Sequence, residues 1–213
     1  PRPPDVVAVM KTKAELKHRQ FLPEARRVVV KIGTRVIARP SGRLDPRQLR
    51  RLVTQVAALR RKGVEVVIVT SGAVGAGMEA LGIRKRPTAV SDMQMCAAVG
   101  QARLMAHYAD LFRESRLLAG QFLLTYDDFE HRVRSANARR TFEHLLRAGV
   151  VPIVNENDVV ADDELKADLS LGDNDFLAAL VVKLIRADLL VILTTVDGVL
   201  RVAIGADGCV SSL

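Results

Sequence analysis

Residues 65–77 read EVVIVTSGAVGAG, a short β-branched run that ends in a threonine, a serine and three glycines. A run such as EVVIVT (65–70) predicts a strand buried on both faces, because helices cover both sides of a parallel sheet. Four more runs share the pattern: VVVKI (28–32), QFLLT (121–125), VVPIVN (150–155) and LLVILT (189–194). Between them, Leu49, Leu52, Val53, Val56 and Leu59 recur at helical spacing. Met95, Val99, Ala102, Met105, Tyr108 and Phe112 predict the inward face of a second helix, and Phe176, Leu177, Leu180 and Leu184 that of a third. Ser91 followed by Gln94 predicts a capping box at the start of the second helix. Asp173 is the expected cap of the third. Strand–helix alternation predicts an α/β fold with a mainly parallel central sheet and right-handed crossovers.

Composition narrows the class. The 213 residues are enough for one domain with a substantial core, or two small ones. A content of 49% hydrophobic and 26% charged residues is that of a soluble globular protein. No apolar run reaches the roughly 18–20 residues of a membrane span, so no membrane partner is expected. Residues 1–24 are polar, carry prolines and lack a signal-type apolar stretch. They read as an N-terminal arm or linker ahead of a domain over 25–213. Cys96 and Cys209 match neither a disulfide framework nor a metal-ligand spacing, which predicts a reducing, cytoplasmic setting and no protein-held metal site. The net charge of +8 invites a nucleic-acid reading. The basic residues are scattered along helical stretches such as RQLRRLVTQVAALRRKG (47–63), and only 4% of residues are aromatic. A solvated helix surface is therefore the better account than nucleic-acid binding.

In open α/β sheets, ligands bind beyond the carboxyl ends of the strands. Polar clusters fall there: Lys31-Ile32-Gly33-Thr34, Thr70-Ser71-Gly72-Ala73, Asn155-Glu156-Asn157-Asp158 and Thr194-Thr195-Val196-Asp197-Gly198. Gly172-Asp173-Asn174-Asp175 opens the third helix. Gly72, Gly75 and Gly77 form GxxGxG, the reverse of the dinucleotide order, and no GxxxxGK[ST] loop occurs. Close helix–strand packing is the alternative account of these glycines. Thr70–Ala73 is more informative, because a hydroxyl and exposed amides at a helix start receive an anionic group. Lys31 points the same way: an ammonium buried near the sheet is costly unless an anion meets it. A lysine snorkelling from the strand end is the bland alternative.

At this point the residues carry a resemblance. VVKIGT, VTSGAVGAG, AAVGQARLM, NARRTFEHLL, VPIVNENDVV, GDNDFLAALVV and LLVILTTVDGV, in this order over about residues 26–200, resemble the glutamate 5-kinases. These are members of the amino-acid kinase family, which also supplies the kinase half of pyrroline-5-carboxylate synthase. The resemblance implies a three-layer α/β/α sandwich that phosphorylates the γ-carboxylate of L-glutamate with ATP and Mg2+, the first step of proline biosynthesis. By resemblance, Lys31 binds the ATP phosphates and stabilises the transferring phosphoryl group, oriented by Asp175. Ser71, Gly72 and Ala73 hold glutamate, Asp158 takes its α-amino group and Asn174 also contacts it. Gly33, Thr194 and Thr195 fall on nucleotide-binding positions. Proline as a feedback inhibitor and a homo-oligomeric state belong to the same expectation.

Two departures stand beside it. Family members usually carry threonine–aspartate where this chain has Thr194-Thr195, with Asp197 two residues further on. After Arg201 the sequence reads only VAIGADGCVSSL, without the GTGGM-type glycine run and second lysine of the family. The expectation is a kinase domain lacking much of its C-terminal nucleotide-binding part, with little turnover by these 213 residues themselves. The rival reading is a non-catalytic glutamate- or proline-binding pseudokinase, and a second is a kinase of the same superfamily with another substrate.

Overall fold

A computed structural model describes residues 20–39, 42–161 and 174–195, and the backbone of 202–204 and 210–212. The predicted runs form five strands: β1 (Arg27–Ile32), β2 (Glu65–Val69), β3 (Ala119–Leu124), β4 (Val151–Glu156) and β5 (Leu189–Leu193). All pair in parallel, in the order β3-β4-β2-β1-β5. The helices are α1 (Thr34–Ile37), α2 (Pro46–Arg61), α3 (Ala73–Ala80), α4 (Val90–Glu114), α5 (Tyr126–Glu130), α6 (Arg132–Arg147) and α7 (Asp175–Ile185). A short antiparallel pair, β6 (Val202–Ile204) and β7 (Val210–Ser212), lies outside this sheet. Of the expected arm, residues 1–19 lie outside the described residues and Leu22–Glu24 form one 3-10 turn.

Strand parity sorts the core into two layers. Val28, Val30 and Ile32 of β1 and Val66 and Ile68 of β2 pack against α2, α3 and α4. Val29, Val67 and Val69 pack against α6 and α7. With successive side chains alternating across the sheet, the observed architecture is helices, sheet, helices. Parity also decides where Lys31 goes. It shares a face with Val29, the α7 side, where Asp175 begins that helix.

Four local expectations need correction. First, Met95 and Val99 are exposed, at 45% and 36%, and Ala102 is exposed too. The buried face of α4 instead runs through Cys96, Ala97, Gly100, Gln101, Leu104, Tyr108 and Phe112. Second, α4 begins at Val90 after Ala89, with no side-chain cap, so Ser91 and Gln94 form no capping box. Third, the buried face of α7 is Leu177, Ala178, Val181 and Ile185; Asn174 occupies its N-cap position without a side-chain cap bond, and the expected cap Asp173 lies outside the described residues. Fourth, β5 is an edge strand among the described residues and is only half-buried.

The glycines explain the shifted face of α4. A Cβ on Gly77 would lie 1.8 Å from Cys96 O, and one on Gly100 would lie 1.8 Å from Ala73 O and 2.4 Å from Gly77 N. The close packing is therefore helix against helix, α3 on α4, not helix on strand. Gly100→Ala should improve helix propensity by up to about 1 kcal/mol. Forcing a methyl into backbone atoms costs about 1–3 kcal/mol or more, so sterics win. A lowered melting temperature is the expected result, and an unchanged or raised one would mean the helices are further apart.

Candidate active site

The carboxyl ends of β1, β2 and β4 and the start of α7 converge on one small cavity. It is lined by Ser71, Gly72, Ala73, Asn155, Asp158 and Asn174, with Thr34, Val74, Gly75, Arg86 and Glu156 completing the wall. Its volume is about 80 Å³. The register pairs Lys31 with Val69 on one side and Ile192 on the other, so the lysine stands between two strand ends.

Lys31 is 5% exposed and its Nζ lies 2.8 Å from Asp175 Oδ1. Asp175 Oδ1 is buried without an aligned hydrogen-bond donor; the contact is held by charge. A buried ammonium with a single carboxylate beside it keeps donor capacity for an incoming anion. Gly33 sits against this pair: a Cβ there would meet Lys31 Nζ at 3.4 Å and Leu193 O at 3.5 Å. Its amide donates to Leu193 O, tying the exit of β1 to β5. Thr194 and Thr195 follow directly on β5 and are exposed at the same sheet edge. Val196–Gly198 of the predicted cluster lie outside the described residues.

Ser71, Gly72 and Ala73 form the turn from β2 into α3. Gly72 has φ 102°, a left-handed conformation that favours glycine, and caps the helix without a side-chain bond. The first amides of α3 consequently face the cavity that Ala73, Val74 and Gly75 line. Partial positive charge at a helix start suits a carboxylate or phosphate. Asp158, on the turn after β4, and Glu156 supply negative charge to the same wall.

Asn174 ties the strand ends together. Its Nδ2 donates to Thr70 O at 2.6 Å and Asn155 Oδ1 at 2.9 Å, with Ser71 Oγ at 3.3 Å. The residue has φ 62°, a left-handed geometry asparagine tolerates better than most. Asn155 Nδ2 in turn donates to Gln101 Oε1 of α4 at 2.9 Å. Beneath them, Thr70 Oγ1 and the Tyr108 hydroxyl share a 2.8 Å bond. Burial pushes the pKa of the Tyr108 hydroxyl far up, and the Thr70 bond offsets this only in part, so Tyr108 is a neutral structural group.

All the sequence-predicted site residues that the structure describes fall on this edge. Ser71, Gly72, Ala73, Asp158 and Asn174 share one cavity; Lys31, Gly33 and Asp175 form a second group beside it; Thr194 and Thr195 stand at the β5 end. Arg86 is a lining residue that sequence reasoning missed. Its one local signal is Pro87, which biases the preceding residue towards extended backbone. That the loop after α3 returns to the cavity depends on the α3–α4 packing. Gln101 was also missed, because a glutamine within an apolar helix face carries no positional mark.

The sequence profile of the Amino acid kinase family matches residues 26–202. A protein of Citrifermentans bemidjiense described as glutamate 5-kinase is 49% identical over 180 residues, covering 84% of this chain and 47% of that protein. One from Bifidobacterium adolescentis is 46% identical over 188 residues, or 88% of this chain and 49% of that protein. One from Symbiobacterium thermophilum is 47% identical over 180 residues, or 84% of this chain and 67% of that protein. The chain thus spans about half the length of the first two relatives and two thirds of the third.

Proposed function

We infer the activity from the premise that this chain belongs to the amino acid kinase family: it is the substrate-binding part of a kinase that transfers the γ-phosphoryl group of ATP to the γ-carboxylate of L-glutamate. The product would be glutamyl 5-phosphate, the first step towards proline. The observation that carries this reading is the juxtaposition of a buried Lys31–Asp175 pair with the Ser71–Ala73 turn, Asp158 and Asn174. An amino acid with two carboxylates and one ammonium needs cationic or amide donors and anionic acceptors around one cavity, and this edge supplies both. Arg86 adds a cation on the same wall.

In the proposed reaction, a γ-carboxylate oxygen attacks the γ-phosphorus, a new O–P bond forms, the bond to the β–γ bridging oxygen breaks, and ADP leaves. Such transfer is mainly positioning and charge stabilisation and needs no side-chain nucleophile. Lys31 would meet the phosphoryl oxygens and Asp175 would hold the lysine in place. Gly33, Thr194 and Thr195 would face the nucleotide. Mg2+ would be carried by the nucleotide phosphates with few protein carboxylates, while Asp175, whose Oδ1 lies 2.8 Å from Lys31 Nζ, would stay with the lysine. Bound to the phosphates, the ion would neutralise their charge.

The domain would run over 25–213 behind an arm at 1–24. No helix among the described residues is long and apolar enough to cross a membrane. A cytoplasmic setting is part of this reading, and Cys96 is a buried free thiol. A homo-oligomer is part of the same reading. Proline would act as a feedback inhibitor.

The test is glutamate binding. Asp158→Ala should weaken calorimetric affinity for L-glutamate by about 1–3 kcal/mol, the scale of a lost hydrogen bond to a charged group. Unchanged affinity would remove Asp158 from the site, and no glutamate binding by the parent protein would remove the substrate.

A further inference from the structure

We propose that Arg86 is a specificity-determining residue whose guanidinium receives the α-carboxylate of L-glutamate, so that the site selects a substrate with that carboxylate free. This rests on the functional reading above. Arg86 is the one cationic residue lining the cavity, where Glu156 and Asp158 already supply two carboxylates. A substrate that brings in two more carboxylates and one ammonium needs a cation besides Lys31, which does not line this cavity. Among the described residues the Arg86 guanidinium makes no ion pair and no hydrogen bond. Its N–H donors are therefore available, and their planar fork matches a carboxylate in two parallel bonds.

The fold decides which carboxylate Arg86 meets. Lys31 stands on the α7 side of the sheet, with Asp175 at 2.8 Å. Arg86 belongs to the connection between α3 and α4, two helices that cover the opposite face. The two cations thus reach the carboxyl edge of the sheet from opposite layers. A γ-carboxylate that accepts the phosphoryl group must lie towards Lys31. The α-carboxylate, at the other end of the same molecule, then falls to the α3–α4 side, and the α-ammonium stays with Asp158 on the shared wall. Packing elsewhere fixes the base of Arg86. Gly77 and Gly100 bring α3 and α4 into backbone contact, which holds both ends of the connection, and the Ile83 amide donates to Met78 O at 2.9 Å. The side chain itself is exposed, so pairing with a substrate displaces water and breaks no bond to another described residue.

The experiment applies steady-state kinetics and calorimetry to the native protein with two acceptors, L-glutamate and its α-amide. The α-amide keeps the γ-carboxylate and the ammonium and lacks only the α-carboxylate. Arg86→Ala should raise KM for L-glutamate about tenfold, the weight of a hydrogen bond to a charged group, with KM for ATP unchanged. The α-amide should bind the parent more weakly than L-glutamate does, and Arg86→Ala no worse than the parent, because the contact is already missing. Arg86→Lys keeps the charge without the planar fork and should fall between. Arg84→Ala removes a neighbouring exposed cation that does not line this cavity, and should leave glutamate KM alone. Equal rises in Arg84→Ala and Arg86→Ala would reduce the effect to the field of a basic loop and overturn the proposal. An equal loss for both acceptors would put Arg86 on the γ-carboxylate and overturn it too, as would a parental KM in Arg86→Ala. In these cases phosphorylation of L-glutamate by the parent leaves the functional reading standing. A parent that neither binds nor phosphorylates L-glutamate removes both.

Discussion

Replacing Lys31 by alanine should lower turnover of the native enzyme by about a hundredfold or more, while leaving its affinity for L-glutamate nearly unchanged. In phosphoryl transfer, negative charge spreads over the oxygens around phosphorus and onto the bridging oxygen. A cation already in place stabilises that charge more than it stabilises the ground state, which lowers the barrier. Lys31 meets the requirement of being preorganised: it is buried, it lies in the last two residues of a strand held on both sides, and Asp175 Oδ1 lies 2.8 Å from its Nζ. The magnitude is that of losing one preorganised electrostatic donor. Glutamate affinity should hold because Lys31 is not among the residues lining the Ser71–Asp158–Asn174 cavity. Single-turnover rates with calorimetry on the same samples separate the two effects. A Lys31→Ala enzyme that turns over like the parent would overturn the assigned mechanism, and a parallel loss of glutamate affinity would place the lysine in the substrate pocket instead.

Val67→Asp should abolish folding. Val67 is fully buried in β2, the middle strand of five, and pairs with Val29 of β1. Its side chain packs in the layer formed with α6 and α7. An ionised carboxylate there has no partner, and a buried unpaired charge costs several kcal/mol even after relaxation. Total stability of a domain is about 5–15 kcal/mol, so the substitution consumes most or all of it. Val133→Asp, on an α6 position that is 60% exposed, should change stability by no more than about 0.5 kcal/mol. Soluble Val67→Asp protein with a parental melting temperature would mean β2 is misplaced; equal damage from both changes would point to aggregation rather than lost core packing.

The sequence by itself determined the strands and the edge on which the chemistry lies. Continuous β-branched runs such as VVVKI and EVVIVT can satisfy both of their faces only inside a helix-covered parallel sheet, so their burial is a local property. Because polar residues follow four of those runs, the carboxyl edge of the sheet was marked before any packing was known. Ser71, Asp158 and Asn174 are legible in that sense, and so is Lys31.

Tertiary structure alone decided the rest. The helical periodicity of α4 is satisfied by two adjacent faces, one through Met95 and Val99 and one through Cys96, Gly100 and Leu104. Hydrophobicity favours the first, but only the second lets α3 approach to backbone contact at Gly77 and Gly100. Asn174 takes its left-handed place ahead of α7 with its amide bonded to the ends of β2 and β4, partners far away in sequence. The direction of the amide chain through Asn155 to Gln101 follows from a single backbone carbonyl in β2's exit turn. A residue's neighbours along the chain carry no trace of that carbonyl, because hydrogen-bond polarity is passed on only between groups already in contact.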